Sequence, residues 1–374
     1  MDRILSDWVR DARARTLGLA ASLPADGLLG PRLAIVNPPL WELGHVAWFQ
    51  ERWVLRHAAG RPPLRAGADA LYDSIAIPHD VRWDLPLPSL AETVGYLREV
   101  EAGVLALLER GEADPYFARL SVFHEDMHWE AMAFSRQTLG WPAPPGLPAS
   151  AAGAGPEGDA ALPGGTFRLG AAPGDGFVFD NEKWAHPVEL APFRIARTPV
   201  TEARFAEFVD DGGYRRRALW SEAGWRWREA AGAEHPAYWE RAGDGWRRRE
   251  FDRRVPLAAG RPVAHVCAHE ADAFCRWAGR RLPSEAEWEA AATAEGAPLG
   301  GAGSVWEWTA SDFLPYPGFA PDPYREYSQP WFGTHRVLRG GSFATPARLL
   351  RPTFRNFYTP DRRDPWAGFR TCAA

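Results

Sequence analysis

Residues 121–130 read SVFHEDMHWE, and this stretch decides how the rest of the chain is interpreted. His124 and His128 are four positions apart, so on an α-helix they lie on one face, because the helix repeats every 3.6 residues. Two imidazoles placed in this way can bind a divalent metal if a third ligand comes from elsewhere in the chain. The stretch therefore predicts two ligands of a metal site.

His45 is the natural third ligand, because it lies in the apolar, helix-periodic segment WELGHVAWF at residues 41–49. His57 follows Arg56 at a helix end and His79 lies in a loop, so both are weaker candidates. Three neutral imidazoles facing into a helical bundle would leave coordination positions open for oxygen and substrate. The plainer alternative is that a given histidine only packs or caps a helix.

The same stretch also matches H-E-x-x-H, the motif of zinc metalloproteases. In that interpretation Glu125 would be the general base, and a further carboxylate or histidine downstream would complete the zinc site. After Glu130 the chain soon reaches the proline-rich residues 142–145, and no helix with such a ligand follows closely. A zinc metalloprotease remains the alternative from a different class, and a non-catalytic binding module is a third possibility.

Length and composition favour a cytoplasmic protein of two domains, or of three small ones. The 374 residues are 46% hydrophobic, which supports sizeable cores, and the net charge of −5 gives no basis for binding nucleic acid. Three cysteines cannot form a disulfide framework, and neither a signal segment nor a membrane-length apolar run is present. The 19 tryptophans suit pockets that hold flat or quaternary-ammonium ligands.

Helical periodicity predicts a four-helix bundle in residues 1–140 with the metal on its inner faces. The predicted helices span residues 4–23, Pro38 to about Arg56, Ser89 to about Glu109, and about Asp114 to Leu139. The interhelical residues 71–88 are too many for a simple connector, so we expect a lid or substrate loop there. Arg82 in this loop is a candidate substrate contact.

Residues 141–161 are rich in alanine, glycine and proline, which predicts an interdomain linker. From residue 162 to residue 374 the pattern changes to short β-like runs with many glycines, prolines and tryptophans. Two helices are predicted there, near Glu202–Asp210 and Ala268–Ala278. A mixed α+β domain with much irregular structure follows from this texture.

Several motifs in the second half carry a family resemblance. They are LPGGTF (162–167), TPVT (198–201), RLPSEAEWE (281–289), VWEWT (305–309), RGGS (339–342) and GFR (368–370). Together they resemble the formylglycine-generating-enzyme, or sulfatase-modifying-factor, domain with its C-type-lectin-like fold. The first half resembles the DinB-like bundle that supplies three histidines to iron. The expected fold class is therefore α+β, a DinB-like four-helix bundle followed by a C-type-lectin-like domain.

The two halves joined resemble the non-haem iron enzymes of ergothioneine, ovothiol and selenoneine biosynthesis. This resemblance implies that His45, His124 and His128 bind Fe(II), and that O2 drives C–Se or C–S bond formation between hercynine and a selenosugar or thiol. The cysteine pair of formylglycine chemistry has no evident counterpart near the tail. Residues 290–304 are fewer than is usual in the family, and we expect the fold to tolerate the shorter segment.

Three departures from the family pattern concern the donor substrate. Phe313 opens the stretch FLPY where the sulfoxide-forming relatives have a catalytic tyrosine, so a proton-donating hydroxyl is missing. Tyr358 stands where relatives that use γ-glutamyl-cysteine have an aspartate, and Met127 stands where they have a glutamine. The resemblance is therefore greatest to the selenoneine-forming branch of the family. The alternative is a hercynine sulfoxide synthase of ergothioneine biosynthesis that uses cysteine or γ-glutamyl-cysteine.

The predicted substrate contacts are mainly aromatic, because a sugar donor needs aromatic faces and hydroxyl-directed hydrogen bonds. They are Arg82, Met127, Phe313, Tyr316, Phe357, Tyr358 and Arg362. By the resemblance, those of the second domain face the cleft that holds the iron. The alternative is that the aromatic residues only pack the lectin-like core. No residue is assigned as the proton donor.

Overall fold

The computed structural model describes residues 3–24, 26–150, 155–296 and 298–374. The chain divides into two compact units, Met1–Leu147 and Pro148–Ala374. The predicted linker differs from this division. Part of it, residues 151–154, lies outside the described residues, and its end forms a strand at Asp159–Leu162 that pairs with Phe193–Ala196. The second unit therefore begins earlier than the alanine- and glycine-rich composition predicted.

The first unit is helical, and its four long helices confirm the predicted bundle. Its α-helices are α1 Arg3–Ala21, α2 Pro39–Gln50, α3 Ala68–Tyr72, α4 Leu90–Arg110 and α5 Pro115–Leu139. A π-helical stretch, Glu51–Ala58, continues α2, and a 3-10 turn covers His79–Val81. Of the described helices in the chain, none is long and apolar enough to cross a membrane.

Local signals set the limits of α4 and α5. Ser89 caps α4 by accepting a hydrogen bond from the amide of Glu92, and the Glu92 carboxylate completes the capping box. Asp114 caps α5, and Pro115 at the first helical position supports that start. Both helices end at a glycine in the left-handed conformation. These signals fix the extent of α5, the helix that carries the histidine pair.

A buried ion pair joins three helices in the core of the first unit. Arg13 on α1 binds both oxygens of Glu125 on α5, with Nε–Oε1 and Nη2–Oε2 distances of 3.0 Å each. The same guanidinium donates to Gln50 on α2 over 2.9 Å. Arg13 and Glu125 are each only 1% exposed. Removing either partner would leave an uncompensated charge in the core.

The second unit consists of short strands and helices, as the texture of the sequence predicted. Its strands are β1 Asp159–Leu162, β2 Gly165–Leu169, β3 His186–Leu190, β4 Phe193–Ala196, β5 Trp239–Ala242, β6 Gly245–Glu250, β7 Arg253–Pro256, β8 Arg280–Arg281, β9 Trp306–Asp312, β10 Arg336–Arg339, β11 Asn356–Tyr358, β12 Ala367–Gly368 and β13 Cys372–Ala373. They form sheets in the orders β1-β4-β13-β8, β11-β10-β9-β12, β2-β3 and β5-β6-β7.

The helices of the second unit confirm two predictions and add elements that the sequence analysis missed. They are α6 Glu202–Asp210, α7 Glu222–Ala231, α8 Ala268–Trp277 and α9 Glu285–Thr293, with 3-10 turns at Asp180–Glu182, Gly213–Arg215, Arg217–Leu219, Arg325–Tyr327 and Gln329–Trp331. Helices α6 and α8 were predicted, whereas α7 and α9 were not. Each missed helix has a serine N-cap, Ser221 or Ser284, and Ser284 forms a capping box with Glu287. The S-x-x-E spacing of Ser284 and Glu287 was an available signal for α9, whereas α7 has only the serine cap.

Buried ion pairs join α9 to the strands of the second unit. Glu285 of α9 lies between two buried guanidinium groups, 2.8 Å from Arg339 Nη2 and 2.8 Å from Arg355 Nε. A similar pair links Arg370 Nη2 to Glu307 Oε1 over 2.7 Å. These residues come from the motifs RLPSEAEWE, RGGS, VWEWT and GFR, apart from Arg355. The motifs that carried the family resemblance therefore hold the domain together through charge-assisted hydrogen bonds.

Candidate metal centre

Three imidazoles meet inside the helical unit. His45 comes from α2, and His124 and His128 come from α5. One potential ligand atom from each lies within 4.8 Å of those of the other two, and the Nε2 atoms of His45 and His124 are 3.3 Å apart. Nitrogens that bind one metal at about 2.1 Å lie about 3 Å from each other. The spacing of this cluster therefore fits a single metal ion.

Hydrogen bonds on the far side of two rings fix which nitrogen can bind a metal. His45 Nδ1 is 2.8 Å from the backbone carbonyl oxygen of Tyr72. A carbonyl can only accept, so Nδ1 carries the proton and Nε2 keeps its lone pair. His128 Nδ1 is 2.5 Å from Oε2 of Glu42, which has the same effect. Carbonyl and carboxylate partners of this kind are typical of metal-bound histidines.

The charges of the cluster favour a cation. Burial and then the nearby His128 lower the pKa of His45 to about 3. Burial and the other two histidines hold the pKa of His124 well below its ordinary value. Burial alone would raise the pKa of Glu42, but His128, His45 and the Asn37 amide outweigh it and lower that pKa to about 2. Neutral imidazoles beside an ionised carboxylate are the forms that metal binding requires.

Aromatic side chains cover part of the cluster. Trp41 stacks on His45 with ring centroids 4.8 Å apart, and Phe49 stacks on His124 at 3.5 Å. His45 and His124 are 2% and 4% exposed, whereas the side chain of His128 is 22% exposed. Of the three histidines, His128 is therefore the one most accessible to solvent.

The geometry of Glu125 contradicts the zinc-protease interpretation of the H-E-x-x-H match. Both carboxylate oxygens of Glu125 bind the Arg13 guanidinium inside the bundle. A general base of a metalloprotease must face the metal-bound water and accept its proton. A buried carboxylate that is neutralised by a bidentate arginine is unsuited to that task. Glu125 is a structural residue of the bundle core.

The two candidate substrate contacts of the helical unit differ in their surroundings. Arg82 is 8% exposed, and its Nη1 donates to Oδ1 of Asn37 over 2.7 Å. Its guanidinium also lies 4.1 Å from the ring of Trp41 and donates to two backbone carbonyls of its own loop. Met127 is half-buried on α5 between the two histidines. A contact of either residue with substrate stays a prediction.

Two of the candidate residues in the second unit form an aromatic stack. Phe313 follows β9 and Phe357 lies in β11, and their rings are 4.1 Å apart and nearly parallel. Phe332 adds a third ring 4.8 Å from Phe313. Phe313 itself has no exposed surface, whereas Phe357 is half-buried. Of the two, Phe357 is the one that a ligand could touch without a rearrangement.

The remaining candidates, Tyr316, Tyr358 and Arg362, lie in two different environments. Tyr316 is buried, and its hydroxyl is 3.2 Å from Oε2 of Glu285 and 3.1 Å from Nη2 of Arg339. It therefore belongs to the buried ion-pair network. Arg362 binds Asp364 through two hydrogen bonds of 2.6 Å, and its guanidinium lies 5.3 Å from the ring of Tyr358. Whether these three residues contact a substrate stays a prediction.

Sequence analysis missed the groups that hold the histidines. Glu42 lies three positions before His45 in the segment already singled out, so helical spacing was an available signal. Asn37 donates to Oε1 of Glu42 over 2.5 Å from just before α2. The carbonyl of Tyr72 left no signal, because any residue provides a carbonyl.

Comparison with known proteins assigns each unit to a domain family. The first unit matches the DinB superfamily over residues 9–139, and the second matches the sulfatase-modifying factor enzyme 1-like domain over residues 147–301 and 298–374. These matches confirm the expected domain pair. The protein thus joins a DinB-type bundle that contains a three-histidine cluster to a sulfatase-modifying-factor domain.

Relatives that match nearly the whole chain identify its protein family more closely. Hercynine oxygenase of Mycolicibacterium thermoresistibile is 38% identical over 96% of this chain and 92% of its own length. Hercynine oxygenase of Mycobacterium tuberculosis is 37% identical over 96% of both chains. Formylglycine-generating enzyme of Streptomyces coelicolor is 34% identical but covers 60% of this chain. The chain belongs to the hercynine oxygenase family, and it is an oxidoreductase.

Proposed function

We propose that this protein is an Fe(II)- and O2-dependent enzyme that forms a C–Se or C–S bond on the imidazole ring of hercynine. The observation that carries the proposal is the cluster of His45, His124 and His128, with ligand atoms within 4.8 Å of one another. It occurs in a chain that resembles hercynine oxygenases over nearly its whole length. The cluster and the relatives are independent lines of support.

The donor set of the cluster suits iron. Imidazole nitrogens are common ligands of iron, and three of them leave positions open for small molecules. A bound Fe(II) supplies O2 activation and favours the deprotonated form of a selenol or thiol. The chain itself orients the imidazoles through Tyr72 and Glu42, and Trp41 and Phe49 restrict water around two of the rings.

We propose a selenosugar as the donor. Phe313 has no hydroxyl where sulfoxide-forming relatives have a tyrosine, and Tyr358 has no charge with which to hold the ammonium group of an amino-acid donor. The guanidinium of Arg362 is already paired with Asp364. Half-buried Phe357 and Tyr358 offer the aromatic faces that suit a sugar. In the reaction, the ring C–H and the Se–H bonds break, a C–Se bond forms, and O2 accepts the two electrons and the two protons that are released.

A thiol donor is the second candidate, and it is supported by the full-length similarity to hercynine oxygenases. In that case the enzyme would form a sulfoxide from cysteine or γ-glutamyl-cysteine. One oxygen atom of O2 would enter the sulfoxide and the other would leave as water. Both candidates share hercynine, iron and O2, so they differ only in the donor.

The test is a donor comparison with iron-loaded enzyme and hercynine. A 1-selenosugar, a 1-thiosugar, cysteine and γ-glutamyl-cysteine are each incubated with and without O2, and products are identified by mass spectrometry. We expect an O2-dependent adduct, with the selenosugar used most efficiently. If γ-glutamyl-cysteine gives a sulfoxide and the selenosugar does not react, the proposed donor is wrong and the thiol takes its place. No O2-dependent loss of hercynine with any donor would overturn the proposed function.

Tyr358 provides a residue-level test of the donor. Tyr358→Asp should shift the ratio of kcat/KM values about tenfold from the sugar towards γ-glutamyl-cysteine, because hydrogen bonds to charged groups contribute about 1.5–3 kcal/mol. Tyr358→Phe is the matched control, since it removes the hydroxyl without adding a charge. An equal ratio in wild type and Tyr358→Asp would contradict this role.

A further inference from the structure

The segment of residues 72–82, called here the outer segment, contacts the histidine cluster from behind. At its start, the carbonyl oxygen of Tyr72 accepts the hydrogen bond from His45 Nδ1. The ring of Tyr72 packs closely on α2, since a Cβ at Gly44 would lie only 2.2 Å from it. Glycine at position 44 therefore allows the approach that brings the Tyr72 carbonyl to His45.

At its other end the outer segment reaches His128 through a chain of hydrogen bonds. Arg82 Nη1 donates to Asn37 Oδ1 over 2.7 Å, and Asn37 Nδ2 donates to Glu42 Oε1 over 2.5 Å. Glu42 Oε2 accepts from His128 Nδ1 over 2.5 Å. Each link joins a donor to an acceptor, so the chain orients the Glu42 carboxylate from both sides.

Arg82 also holds the outer segment in shape. Its Nη2 donates to the carbonyl oxygens of Ser74 and Ile77 over 3.1 and 3.2 Å. Its guanidinium covers the face of Trp41, the ring that stacks on His45. Arg82 and Glu42 are 8% and 5% exposed, so these contacts lie largely out of water. Hydrogen bonds to charged groups are strong and directional in such surroundings.

We infer that Arg82 is a positioning residue that sets the metal affinity of the three-histidine site through Asn37 and Glu42. The inference rests on the metal of the proposed function. It gives Arg82 a different role from the substrate contact that the sequence suggested. The outer segment then acts as a support for two of the three imidazoles, one through Tyr72 and one through Arg82.

The inference predicts that a substitution of Arg82, which is not itself a ligand, weakens metal binding. Arg82→Lys keeps the positive charge but replaces the planar fork, which makes hydrogen bonds in several directions, with a single ammonium. Loss of a residue that orients a ligand typically costs about 10- to 100-fold in metal affinity. We expect about tenfold weaker Fe(II) binding in Arg82→Lys and in Asn37→Ala. The double variant should lose little more than either single variant, because both act through Glu42.

The experiment measures the Kd for Fe(II) without oxygen or substrate, by competition with a chromophoric chelator, together with the visible spectrum of the Co(II)-loaded protein. Arg136→Lys is the matched control. Arg136 is also a buried arginine of the helical unit, and it donates to the hydroxyl and carbonyl of Ser22 instead of towards the histidines. We expect Arg82→Lys to weaken Fe(II) binding and to change the Co(II) spectrum, whereas Arg136→Lys should leave both unaltered.

Four outcomes would overturn the inference. An unchanged Kd in Arg82→Lys with a raised KM for the donor would make Arg82 a substrate contact. Equal losses in Arg82→Lys and Arg136→Lys would reduce the effect to general packing. Failure of the unaltered chain to bind Fe(II) would overturn the proposed function as well. Normal Fe(II) binding with a normal Arg82→Lys variant would overturn this inference alone.

Discussion

Both units contain buried structural ion pairs, such as Arg13–Glu125 in the helical unit, but the helical unit also has a cluster of buried histidines. In the helical unit, His45, His124 and His128 converge on one point, and burial lowers the pKa values of His45 and His124. In the second unit, the buried groups are opposite charges that link α9 to β10, as Glu285 and Arg339 do. The densest sequence motifs supply the buried ion pairs of the second unit. Dense motifs therefore contain a histidine pair of the cluster in one unit and structural ion pairs in the other.

The largest change in stability is expected from Glu285→Ala in the second unit. The substitution leaves the buried guanidinium groups of Arg339 and Arg355 without the carboxylate between them. Loss of one partner of a buried ion pair costs about 3–5 kcal/mol in the free energy of unfolding. Hydrogen-exchange mass spectrometry of β9 and β10 amides would measure it, with the exposed Glu295→Ala as control. Equal protection in both variants would contradict a folding role for the motif.

In the helical unit, Glu125→Gln should separate stability from metal binding. It removes the negative charge that faces buried Arg13, so we expect a loss of about 3 kcal/mol in the free energy of unfolding. Iron content and most of the turnover should remain, because Glu125 does not serve as a base. Urea unfolding and metal analysis measure the two effects, and the exposed Glu99→Gln on α4 is the control. A stable, fully metallated and inactive Glu125→Gln protein would restore the protease interpretation.

A smaller effect is expected from Asp180, whose charge is poorly compensated. Burial and the charge of Asp322 raise its pKa to about 6, and the hydroxyl of Ser328 opposes them. Between about pH 4 and pH 6 the folded protein keeps this proton and the unfolded chain releases it. The free energy of unfolding should therefore fall by about 2 kcal/mol as the pH rises through that window, and the loss is complete above it.

Asp180→Asn tests this expectation, because it removes the titration and keeps the shape of the side chain. Chemical denaturation at several pH values between 4.5 and 7 would measure the slope. We expect the variant to lose this part of the pH dependence and to be the more stable protein at neutral pH. Identical slopes in the two proteins would contradict an uncompensated carboxylate at this position.

Local physics explains why the clustering of the histidines was predictable. Helical spacing and the caps at Ser89 and Asp114 act over a few residues, so the helices and the histidine pair followed from the sequence. The supports from Asn37 and the Tyr72 carbonyl could not be predicted, because they depend on how loops pack on distant helices. The end of the predicted linker became β1 for a similar reason, since its pairing with β4 outweighed its composition.

The most direct test of the central claim is the iron content of the His45→Ala variant. His57→Ala is the matched control, because His57 follows on the same helical segment but packs against Trp53 and Phe117. Each protein is loaded with Fe(II) without oxygen, desalted and analysed for iron, with circular dichroism to confirm folding. We predict stoichiometric iron in wild type and His57→Ala, and loss of iron from a folded His45→Ala. Full iron occupancy in folded His45→Ala would contradict the three-histidine site.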